Sequence, residues 1–529
     1  MYDRRIPPDT FVSPDVARRL AEMSRALGRQ LGIMVDRRGR VTHVIVGDAH
    51  QLFIPDLQRH RAGSGRFRGI RLIHTHLRSE GLTEDDLTDL SLLRLDAIVV
   101  IQAQADGMPG FMEVGTIRPD APSDADKPWQ IERRKSVHEW KDDFLLFIDD
   151  LEGRISSQVA VQRVPGAEGA LVIGVATGRD HGAEDSLDEL ERLADTAGLQ
   201  VLDRFLQKRR KPDHKYVVGK GKLEEIQVRA MQRDADVLIF DAELSPSQLR
   251  NIATETELKV VDRTQLILDI FSQRATTREG KLQVELAQLR YRKPRLALMP
   301  TAMSRLTGGI GGRGPGETKL EINRRRADER QTRLEKQLKK LSKQRSLRRS
   351  RRRRVGLPQI AIVGYTNAGK STLLNRMTRS KVDAEDKLFA TLDPTSRRLR
   401  FPEEREVILT DTVGFIRQLP KDLVHAFRST LEEVMEADLL LHVVDAASPL
   451  IETHMLEVHN TLEALGAAET STILILNKAD AIPEAQQQTL RDVHNGFLAS
   501  AQTGNGLDTI LLQIERHLFR ENAQATLDS

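Results

Sequence analysis

The stretch QIAIVGYTNAGKSTLLNRM contains residues whose types and spacing suit phosphate chemistry. Its pattern Gly364-x4-Gly369-Lys370-Ser371 lies between a predicted strand and a predicted helix. Backbone N–H groups of such a loop hold the α- and β-phosphates of a nucleotide at the helix N-terminus. Lys370 is then placed for the β- and γ-phosphates, and the Ser371 hydroxyl for Mg²⁺. The predicted loop comprises Gly364, Tyr365, Thr366, Asn367, Ala368, Gly369, Lys370 and Ser371.

Two later stretches, LILNKAD and LASAQTG, predict which base is bound. Asp480 follows a predicted strand at the end where doubly wound sheets bind ligands, and its carboxylate can accept both N1–H and N2–H of guanine. Adenine has no such pair of donors, so the carboxylate would stay unpaired at a cost of ~1–3 kcal/mol. The backbone of Ser500 and Ala501 offers a contact to guanine O6. The predicted base site comprises Asn477, Lys478, Ala479, Asp480, Ser500, Ala501 and Gln502.

The segments KLFATLDPT and ILTDTVGF supply groups for Mg²⁺ and the γ-phosphate. Asp411 ends a predicted strand and suits the outer shell of Mg²⁺, while the Gly414 N–H suits the γ-phosphate. Thr391 is positioned to complete the Mg²⁺ shell only when the γ-phosphate is present, as in a mobile switch. We therefore predict that Lys370, Thr391 and Gly414 act in hydrolysis. Their predicted nucleotide-binding neighbours are Phe389, Ala390, Leu392, Asp393, Thr412 and Val413.

Two residues bear on the rate of hydrolysis. Phe415 follows DTVG where many GTPases have a water-orienting glutamine, and an apolar side chain cannot orient water. Intrinsic hydrolysis is therefore expected to be slow and to need a bound partner. Asn367, inside the phosphate loop, has two interpretations: a turn residue, or a ligand for K⁺ standing in for an arginine finger.

Five stretches together resemble the HflX GTPases over roughly residues 160 to 520. They are YVVGKGKLEEI from 216, DAELSPSQLRNI from 241, DRTQLILDIF from 262, GGIGGRGPGETKLEINRRR from 308 and DTVGFI from 411. The resemblance implies an N-terminal α/β domain, a helical arm and a G domain that binds GTP and GDP. It also implies binding to the large ribosomal subunit, stimulation by ribosomes and splitting of stalled ribosomes under stress. Some members bind ATP through the N-terminal domain.

The fold class expected is α/β multidomain: a doubly wound P-loop GTPase domain, N-terminal α/β domains and a helical hairpin arm. At ~150 residues per domain, 529 residues suggest three or four units. We place an extra N-terminal α/β domain at 1–145, the family's N-terminal domain at 150–275, a basic helical arm at 276–355 and the G domain at 356–522. Many family members carry a further C-terminal domain, which we do not expect here.

The arm is strongly basic and is interrupted by glycines. Residues 324–354 hold 16 Lys and Arg against 3 acidic residues. A solvated helix face followed by a linker is one interpretation, but charge of nearly one sign favours contact with nucleic acid. Glycines at 308–316 would let a slim hairpin tip, residues 298–316, approach ribosomal RNA; a flexible hinge is the alternative. The predicted RNA-binding residues are Arg305, Arg313, Arg324, Arg325 and Arg326.

The extra N-terminal region contains RLIHTHLRSEGLTEDDLTDL. Its His74, His76 and Asp86 resemble the zinc motif of JAB/MPN-type proteins, although the spacing is one residue short and no upstream glutamate matches. A catalytic zinc site needs three ligands, an open position and a base. The alternative is a solvated strand end with Thr83 capping a helix, and we expect a relic of that fold without metal.

Two rival functions follow from these motifs. The first is an ATP-driven RNA remodelling enzyme that uses VVGKGK, residues 217–222, as a second nucleotide site. The second is a metal-dependent hydrolase regulated by the GTPase. The chain has no cysteine, no apolar signal region and no run of ~20 apolar residues, so we expect a cytoplasmic monomer. Peripheral membrane association is left open, and the expected cofactors are Mg²⁺, GTP or GDP, and K⁺.

Overall fold

The computed structural model describes residues 5–54, 67–118, 129–162, 167–178, 182–256, 258–296, 319–354, 357–378, 388–389, 392, 394–401, 405–417 and 428–520. They form two compact units. Unit 1 comprises Met1–Ala183, Gly198–Phe240 and Asn251–Val260, and unit 2 comprises Glu184–Ala197, Asp241–Arg250 and Val261–Ser529. No described helix is long and apolar enough to cross a membrane.

A six-stranded mixed sheet dominates the first part of unit 1, with strand order β2-β1-β3-β4-β5-β6. β3 and β4 are parallel, and the other neighbours are antiparallel. The strands are β1 Leu31–Asp36, β2 Val41–Val46, β3 Ile70–His76, β4 Ala97–Ala103, β5 Pro109–Ile117 and β6 Trp129–Arg134. The helices are α1 Pro14–Leu27, α2 Glu84–Leu92 and α3 Phe144–Gln162. Apolar residues of α1, α2, α3 and the strands form one core.

A four-stranded sheet follows, with order β10-β9-β7-β8 and parallel pairing of β7 with both β8 and β9. Its strands are β7 Glu168–Thr177, β8 Leu199–Arg209, β9 Val237–Phe240 and β10 Lys259–Asp262. The intervening helices are α4 Ala183–Thr196, α5 Lys220–Gln232 and α6 Pro246–Glu255. β9 is buried throughout, as expected for an inner parallel strand. The parallel strands with intervening helices agree with the expected α/β class.

Three helices of unit 2 follow: α7 Arg263–Arg274, α8 Arg278–Leu296 and α9 Lys319–Arg354. α8 and α9 contact each other through ion pairs, Arg290–Glu335 at 2.8 Å, Arg330–Glu285 at 2.6 Å and Lys293–Asp328. Leu334 of α9 is fully buried, whereas Arg324, Arg325 and Arg326 are exposed. The glycine-rich stretch, including Arg305 and Arg313, lies outside the described residues.

The last sheet has order β12-β13-β11-β14-β15-β16, with only the edge strand β12 antiparallel among the pairs described. Its strands are β11 Gln359–Gly364, β12 Thr395–Arg400, β13 Glu406–Asp411, β14 Leu439–Asp445, β15 Thr472–Asn477 and β16 Phe497–Leu498. Its helices are α10 Lys370–Thr378, α11 Arg428–Met435, α12 Ile451–Leu465, α13 Glu484–His494 and α14 Leu507–Glu515. Apolar clusters lie on both sides of β11. This doubly wound sheet confirms the α/β class and the P-loop domain predicted from the sequence.

Candidate nucleotide-binding site

The loop between β11 and α10 has a backbone that requires glycine at two positions. Gly364 has φ +155° and Gly369 has φ +90°. A Cβ at Gly364 would lie 2.2 Å from the carbonyl oxygen of Val443, and one at Gly369 would lie 2.3 Å from Nδ2 of Asn477. Both substitutions would strain the backbone and collide with fixed atoms. The loop thus wraps closely around the N-terminus of α10, where a phosphate would meet backbone N–H groups.

Lys370, the first residue of α10, is buried, and its ammonium donates to the carbonyl oxygen of Tyr365 at 2.8 Å. Burial lowers the pKa of Lys370 to about 8, against the opposing attraction of the Asp411 carboxylate. An ammonium held this way lacks a full counter-charge. The phosphates of a nucleotide would supply that charge and favour the protonated form.

Ser371, the second residue of α10, meets Asp411, the last residue of β13. The Ser371 hydroxyl donates to Oδ2 of Asp411 at 2.6 Å, because β11 and β13 are parallel and Ile362 pairs with Asp411. A hydroxyl beside a fully buried carboxylate is a pair of hard oxygen ligands of the kind that Mg²⁺ takes. The predicted magnesium residues Ser371 and Asp411 are therefore adjacent. Thr391, together with Ala390 and Asp393, lies outside the described residues.

Asn477 joins the phosphate loop to the loop after β16. Its Nδ2 donates to the carbonyl oxygen of Ala368 at 2.8 Å, and its Oδ1 accepts from the Ala501 N–H at 2.9 Å. The side chain is buried and satisfied by backbone at both ends. Asn477 therefore fixes the distance between the phosphate end and the base end of the site.

Asp480 is exposed in a short 3₁₀ turn directly after β15. The turn follows Lys478, which has φ +61° and whose ammonium contacts Oδ2 of Asp445 at 2.8 Å. The Ser500 hydroxyl accepts from the N–H of Thr503 at 3.0 Å and shapes the neighbouring loop. An exposed carboxylate on a constrained turn suits a base with two adjacent donors. Ala479 and Ala501 are buried, and Gln502 is exposed.

The DTVG segment is hydrogen-bonded to the phosphate loop. The Thr366 N–H donates to the carbonyl oxygen of Phe415 at 2.7 Å, and the Phe415 N–H donates to that of Gly364 at 3.1 Å. A Cβ at Gly414 would lie 2.9 Å from Nζ of Lys370. Glycine is needed here because a Cβ would also lie 2.8 Å from Cγ2 and 3.0 Å from Cα of Thr366. The Thr412 hydroxyl donates to the carbonyl oxygen of Ile362 at 2.6 Å, and Val413 is buried.

Phe415 is 1% exposed and packs in the core with Leu431 and Val434. The side chain at the position of a water-orienting glutamine is thus apolar and also part of the core. Nearby, Phe389 has φ +55° and packs edge-on against Phe271 of α7, with ring centroids 4.6 Å apart. Leu388 and Leu392 are buried beside it. Within the described residues, this part of the switch is anchored by apolar contacts.

A buried polar cluster beside the phosphate loop was not predicted from the sequence. The Tyr365 hydroxyl donates to Glu189 of α4 at 2.8 Å and accepts from the Arg417 N–H at 2.7 Å. Arg263 of α7 contacts Glu189 at 3.2 Å and Asp241 at 2.9 Å, and donates to the carbonyl oxygen of Arg417 at 3.2 Å. Burial, together with the Glu189 charge, raises the pKa of Tyr365 above its ordinary range. The cluster links the phosphate loop and the DTVG segment to helices more than 90 residues earlier in the chain.

Asn367 is exposed in the phosphate loop with φ +60°. Asparagine tolerates this left-handed conformation better than most residues, which supports its interpretation as a turn residue. Its side chain also lines a cavity of about 350 Å³ together with Asp445, Ser448 and His454. Potassium ligation therefore stays a prediction.

One rival function uses residues 217–222 as a second nucleotide site, but polar groups of this stretch already have partners within the protein. The Gly219 N–H donates to Oε1 of Gln207 at 2.9 Å. Lys222 contacts Glu225 at 2.7 Å, and Lys220 contacts Glu224 at 3.6 Å. The geometry does not favour this stretch as a phosphate site.

The doubly wound sheet, the glycine-shaped loop, the Ser371–Asp411 pair and the carboxylate after β15 define a P-loop GTPase. Family models match residues 184–272 ("GTP-binding GTPase N-terminal"), 274–352 ("GTP-binding GTPase Middle Region") and 359–478 ("50S ribosome-binding GTPase"). The chain is 52% identical over 338 residues to GTPase HflX of Caldanaerobacter subterraneus, covering 64% of this chain and 78% of the relative. It is 45% identical over 368 residues to GTPase HflX of Escherichia coli, covering 69% and 86%.

The chain therefore belongs to the HflX family of GTPases, as the sequence motifs predicted. It is a GTP hydrolase that binds GTP and GDP. Among solved structures, a GTP-binding protein from Sulfolobus solfataricus in complex with GDP is 23% identical, covers 67% of this chain and 99% of its own, and has a TM-score of 0.36. The two rival functions are not favoured by these matches.

Proposed function

We propose that this GTPase binds the large ribosomal subunit and couples GTP binding and hydrolysis to the splitting or rescue of stalled ribosomes under stress. The observation that carries the proposal is the charge of α9. Residues 324–354 contain 16 Lys and Arg and 3 acidic residues, and Arg324, Arg325 and Arg326 are exposed. Such a helix gains affinity from released counterions when it lies on RNA phosphates.

The described ion pairs of α9 with α8 support this assignment. They involve Asp328, Arg330 and Glu335, so two of the three acidic residues of the segment face α8. The third acidic residue, Glu329, is exposed and lies 3.8 Å from Arg325, and the other exposed charged residues described in α9 are all basic. The family model for 359–478 is described as a 50S ribosome-binding GTPase, which is consistent with a ribosomal RNA partner.

At the nucleotide, the chain's own groups have separate tasks in the proposal. The 364–371 loop and Lys370 hold the phosphates, Ser371 with Thr391 and Asp411 hold Mg²⁺, and Asp480 selects guanine. Mg²⁺ supplies positive charge to the phosphate oxygens when bound. Gly414 leaves room for the γ-phosphate beside Lys370. K⁺ ligation by Asn367 would add charge between the β- and γ-phosphates.

Because Phe415 is in the core and cannot orient water, the proposal requires activation by the bound partner. The cluster of Tyr365, Glu189, Arg263 and Arg417 gives a physical path for it. A partner that moves α4 or α7 would alter the hydrogen bonds that hold the segment after Gly414. Ribosome binding would in this way change the conformation of the DTVG segment.

The test is sedimentation with large subunits in the presence of a non-hydrolysable GTP analogue, with GTPase assays and subunit separation on the same samples. Replacing Arg324, Arg325 and Arg326 by Glu should weaken binding and its salt dependence. The matched control replaces Arg18, Arg19 and Arg29, which are exposed in unit 1, with the same change in charge. Equal binding by both triple variants would contradict the role of α9.

Deletion of 308–316 tests the glycine-rich stretch. It should leave intrinsic hydrolysis near wild type and abolish stimulation and subunit separation, while weak, salt-sensitive binding through α9 persists. A deletion variant that is still fully stimulated and still separates subunits would make the stretch a hinge only.

A further inference from the structure

The structure assigns a transition-metal site to His74, His76 and Asp86 in unit 1, and we propose that it binds Zn²⁺. This reverses our expectation of a relic without metal. The alternative of a solvated strand end is wrong, because His74 and His76 are 0% and 2% exposed. The geometry of three ligand atoms carries the proposal.

The two imidazoles point the same way because they are two residues apart on β3. Thr75 between them points to the opposite face, where its hydroxyl contacts the Ser24 hydroxyl at 2.9 Å and accepts from the Leu31 N–H at 3.0 Å. Nε2 of His74 and Nε2 of His76 are 3.1 Å apart. The strand register alone therefore brings two nitrogen ligands together.

Asp86 supplies the third ligand from the first turn of α2. Its Oδ1 is 3.2 Å from Nε2 of His74, and its Oδ2 is 3.6 Å from Nε2 of His76. Four-coordinate zinc has bonds of about 2.0–2.1 Å, so neighbouring ligand atoms lie about 3.3–3.4 Å apart at tetrahedral angles. Nε2 of His74 lies near this value from both neighbouring ligand atoms, at 3.1 Å from Nε2 of His76 and 3.2 Å from Oδ1 of Asp86.

Hydrogen bonding alone accounts poorly for the two contacts of Asp86, at 3.2 and 3.6 Å. Two ring nitrogens 3.1 Å apart can share only one proton. A protonated imidazole bound to a carboxylate would come to about 2.7–2.9 Å, closer than either contact with Asp86. The Asp86 carboxylate and the two imidazoles are too far apart for strong hydrogen bonds. Their separations instead suit ligands of one metal ion, which indicates a cation between them.

A second layer of contacts holds Asp86 in its orientation. Its Oδ2 accepts from the Thr83 N–H at 2.8 Å and from the Thr83 hydroxyl at 2.7 Å, and the Asp86 N–H donates to that hydroxyl at 3.3 Å. The predicted cap of α2 by Thr83 is thus present as a full capping box. It occupies Oδ2 and leaves Oδ1 towards His74. Contacts of this kind orient ligands in metal sites.

The loop between His76 and Thr83 is fixed from β5. Glu113 accepts from the Leu82 N–H at 2.7 Å, and a Cβ on Gly81 would lie 2.1 Å from its Oε2. Glu113 lies in the same row across the sheet as His74, since both are paired with Val100 of β4. No glutamate upstream of the histidines matches the zinc motif. The buried Glu113, downstream of them, positions the loop.

The chemical types of the three ligand atoms indicate which metal ions the site would bind. Two imidazoles and one carboxylate, with no thiolate in a chain without cysteine, suit Zn²⁺ and neighbouring late divalent ions rather than Mg²⁺ or Ca²⁺. Three protein ligands leave a fourth position for water, and Asp86, with its side chain 14% exposed, is the most solvent-accessible ligand. The site lies outside the segments matched by the GTPase family models.

The experiment is a Zn²⁺ titration of the untagged full chain against a chromophoric chelator, with excess Mg²⁺ and GDP to saturate the G domain. One ion per chain is expected, and Co²⁺ should give the intense visible bands of a four-coordinate site. Loss of a contact that orients a metal ligand costs about 10- to 100-fold in metal affinity. Asp86→Asn removes a ligand itself and should weaken Zn²⁺ binding by more than this. Thr83→Val should weaken it within that range.

The controls separate metal binding from folding. Asp85→Asn changes an exposed carboxylate on the same turn and should leave affinity unchanged. Asp86→Asn keeps an oxygen acceptor for Thr83, so α2 stays capped, and GDP affinity of the same sample reports an intact chain. Absence of stoichiometric Zn²⁺ from the wild type, or equal affinity in wild type and Asp86→Asn, would overturn the proposal.

Discussion

Two strand–loop–helix units of this molecule have opposite chemistry. In the first, β11 leads through residues 365–369 into α10, and in the second, β3 leads through residues 77–83 into α2. The residue before α10 is Gly369, which has no side chain to cap the helix, so its N-terminal N–H groups face the loop. The residue before α2 is Thr83, which caps its helix and, with Asp86, satisfies two of the N-terminal donors.

This difference in capping decides which ion each unit suits. An uncapped helix N-terminus with a buried lysine attracts phosphate. A capped one has its backbone donors occupied, and the carboxylate that completes the cap adds negative charge beside two imidazoles. The same supersecondary unit can therefore present an anion site or a cation site, depending on the helix cap and on the charged or imidazole side chains beside it.

The largest effect is expected at the anion site. Lys370→Ala or Ser371→Ala should lower Mg²⁺–nucleotide affinity or turnover at least about tenfold, because both groups face ligand. The fold should persist, since the loop is built from backbone and glycines. Fluorescent-nucleotide binding, hydrolysis rates and thermal melts of the same samples measure this. Normal hydrolysis with a large drop in melting temperature would show a structural role instead.

The base end of the same site has a side-chain determinant. Asp480→Asn should shift preference from guanine to xanthine nucleotides, because an amide can donate to the xanthine oxygen. The loss of GTP affinity should correspond to ~1–3 kcal/mol, or about 5- to 150-fold. Competition between GTP and XTP measures it, with the exposed Asp508→Asn as control. Unchanged GTP and XTP affinities would contradict the assignment.

Tyr365→Phe tests whether the anion site depends on distant elements. The change removes the hydroxyl that donates to Oε2 of Glu189 at 2.8 Å and accepts from the Arg417 N–H at 2.7 Å, while Glu189 keeps its contact with Arg263. Leaving buried polar groups unsatisfied costs ~1–3 kcal/mol, so the free energy of unfolding should fall by that amount. Denaturant unfolding of the full chain measures it. No loss of stability would make this cluster incidental.

The pH dependence of nucleotide binding tests the buried lysine. Burial lowers the pKa of Lys370 to about 8 in the free protein. Bound phosphates raise it, so binding takes up a proton once pH exceeds 8. Affinity should therefore be flat below about pH 8 and fall by up to tenfold per pH unit above it. Titrations from about pH 7 to pH 9.5 measure this, and constant affinity across the range would place the lysine outside the phosphate site.

The smallest effect concerns Asn367. If it is a K⁺ ligand, hydrolysis should be several-fold faster in K⁺ than in Na⁺, because the cation offsets charge between the β- and γ-phosphates. Asn367→Ala should remove the difference. Equal wild-type rates in the two salts would leave the residue with its turn role alone, which its φ of +60° already explains.

The strands β7, β9 and β10 and those of the G domain, apart from β12, are short apolar runs, which is a pattern that sequence shows directly. β8 lacks this pattern, because Leu199–Arg209 is partly exposed along most of its length and ends in charged residues. In β12, Thr395–Arg400, only Leu399 is buried, and the other residues are polar or charged. Edge strands such as these carry weak signals, because one side is solvated and pairing with a neighbour defines them.

The sequence by itself determined the nucleotide loop, the DTVG segment, the Asp480 turn and the family. The three segments are contiguous stretches whose glycines and functional side chains follow one another at fixed intervals, so spacing along the chain records them, and the same stretches carry the resemblance to the family. Only the tertiary structure placed Glu189 and Arg263 against Tyr365, and Glu113 against the loop between His76 and Thr83. Those contacts join residues far apart in the chain or in strands whose register sequence does not show. Strand pairing and burial, rather than local pattern, bring such side chains within bonding distance.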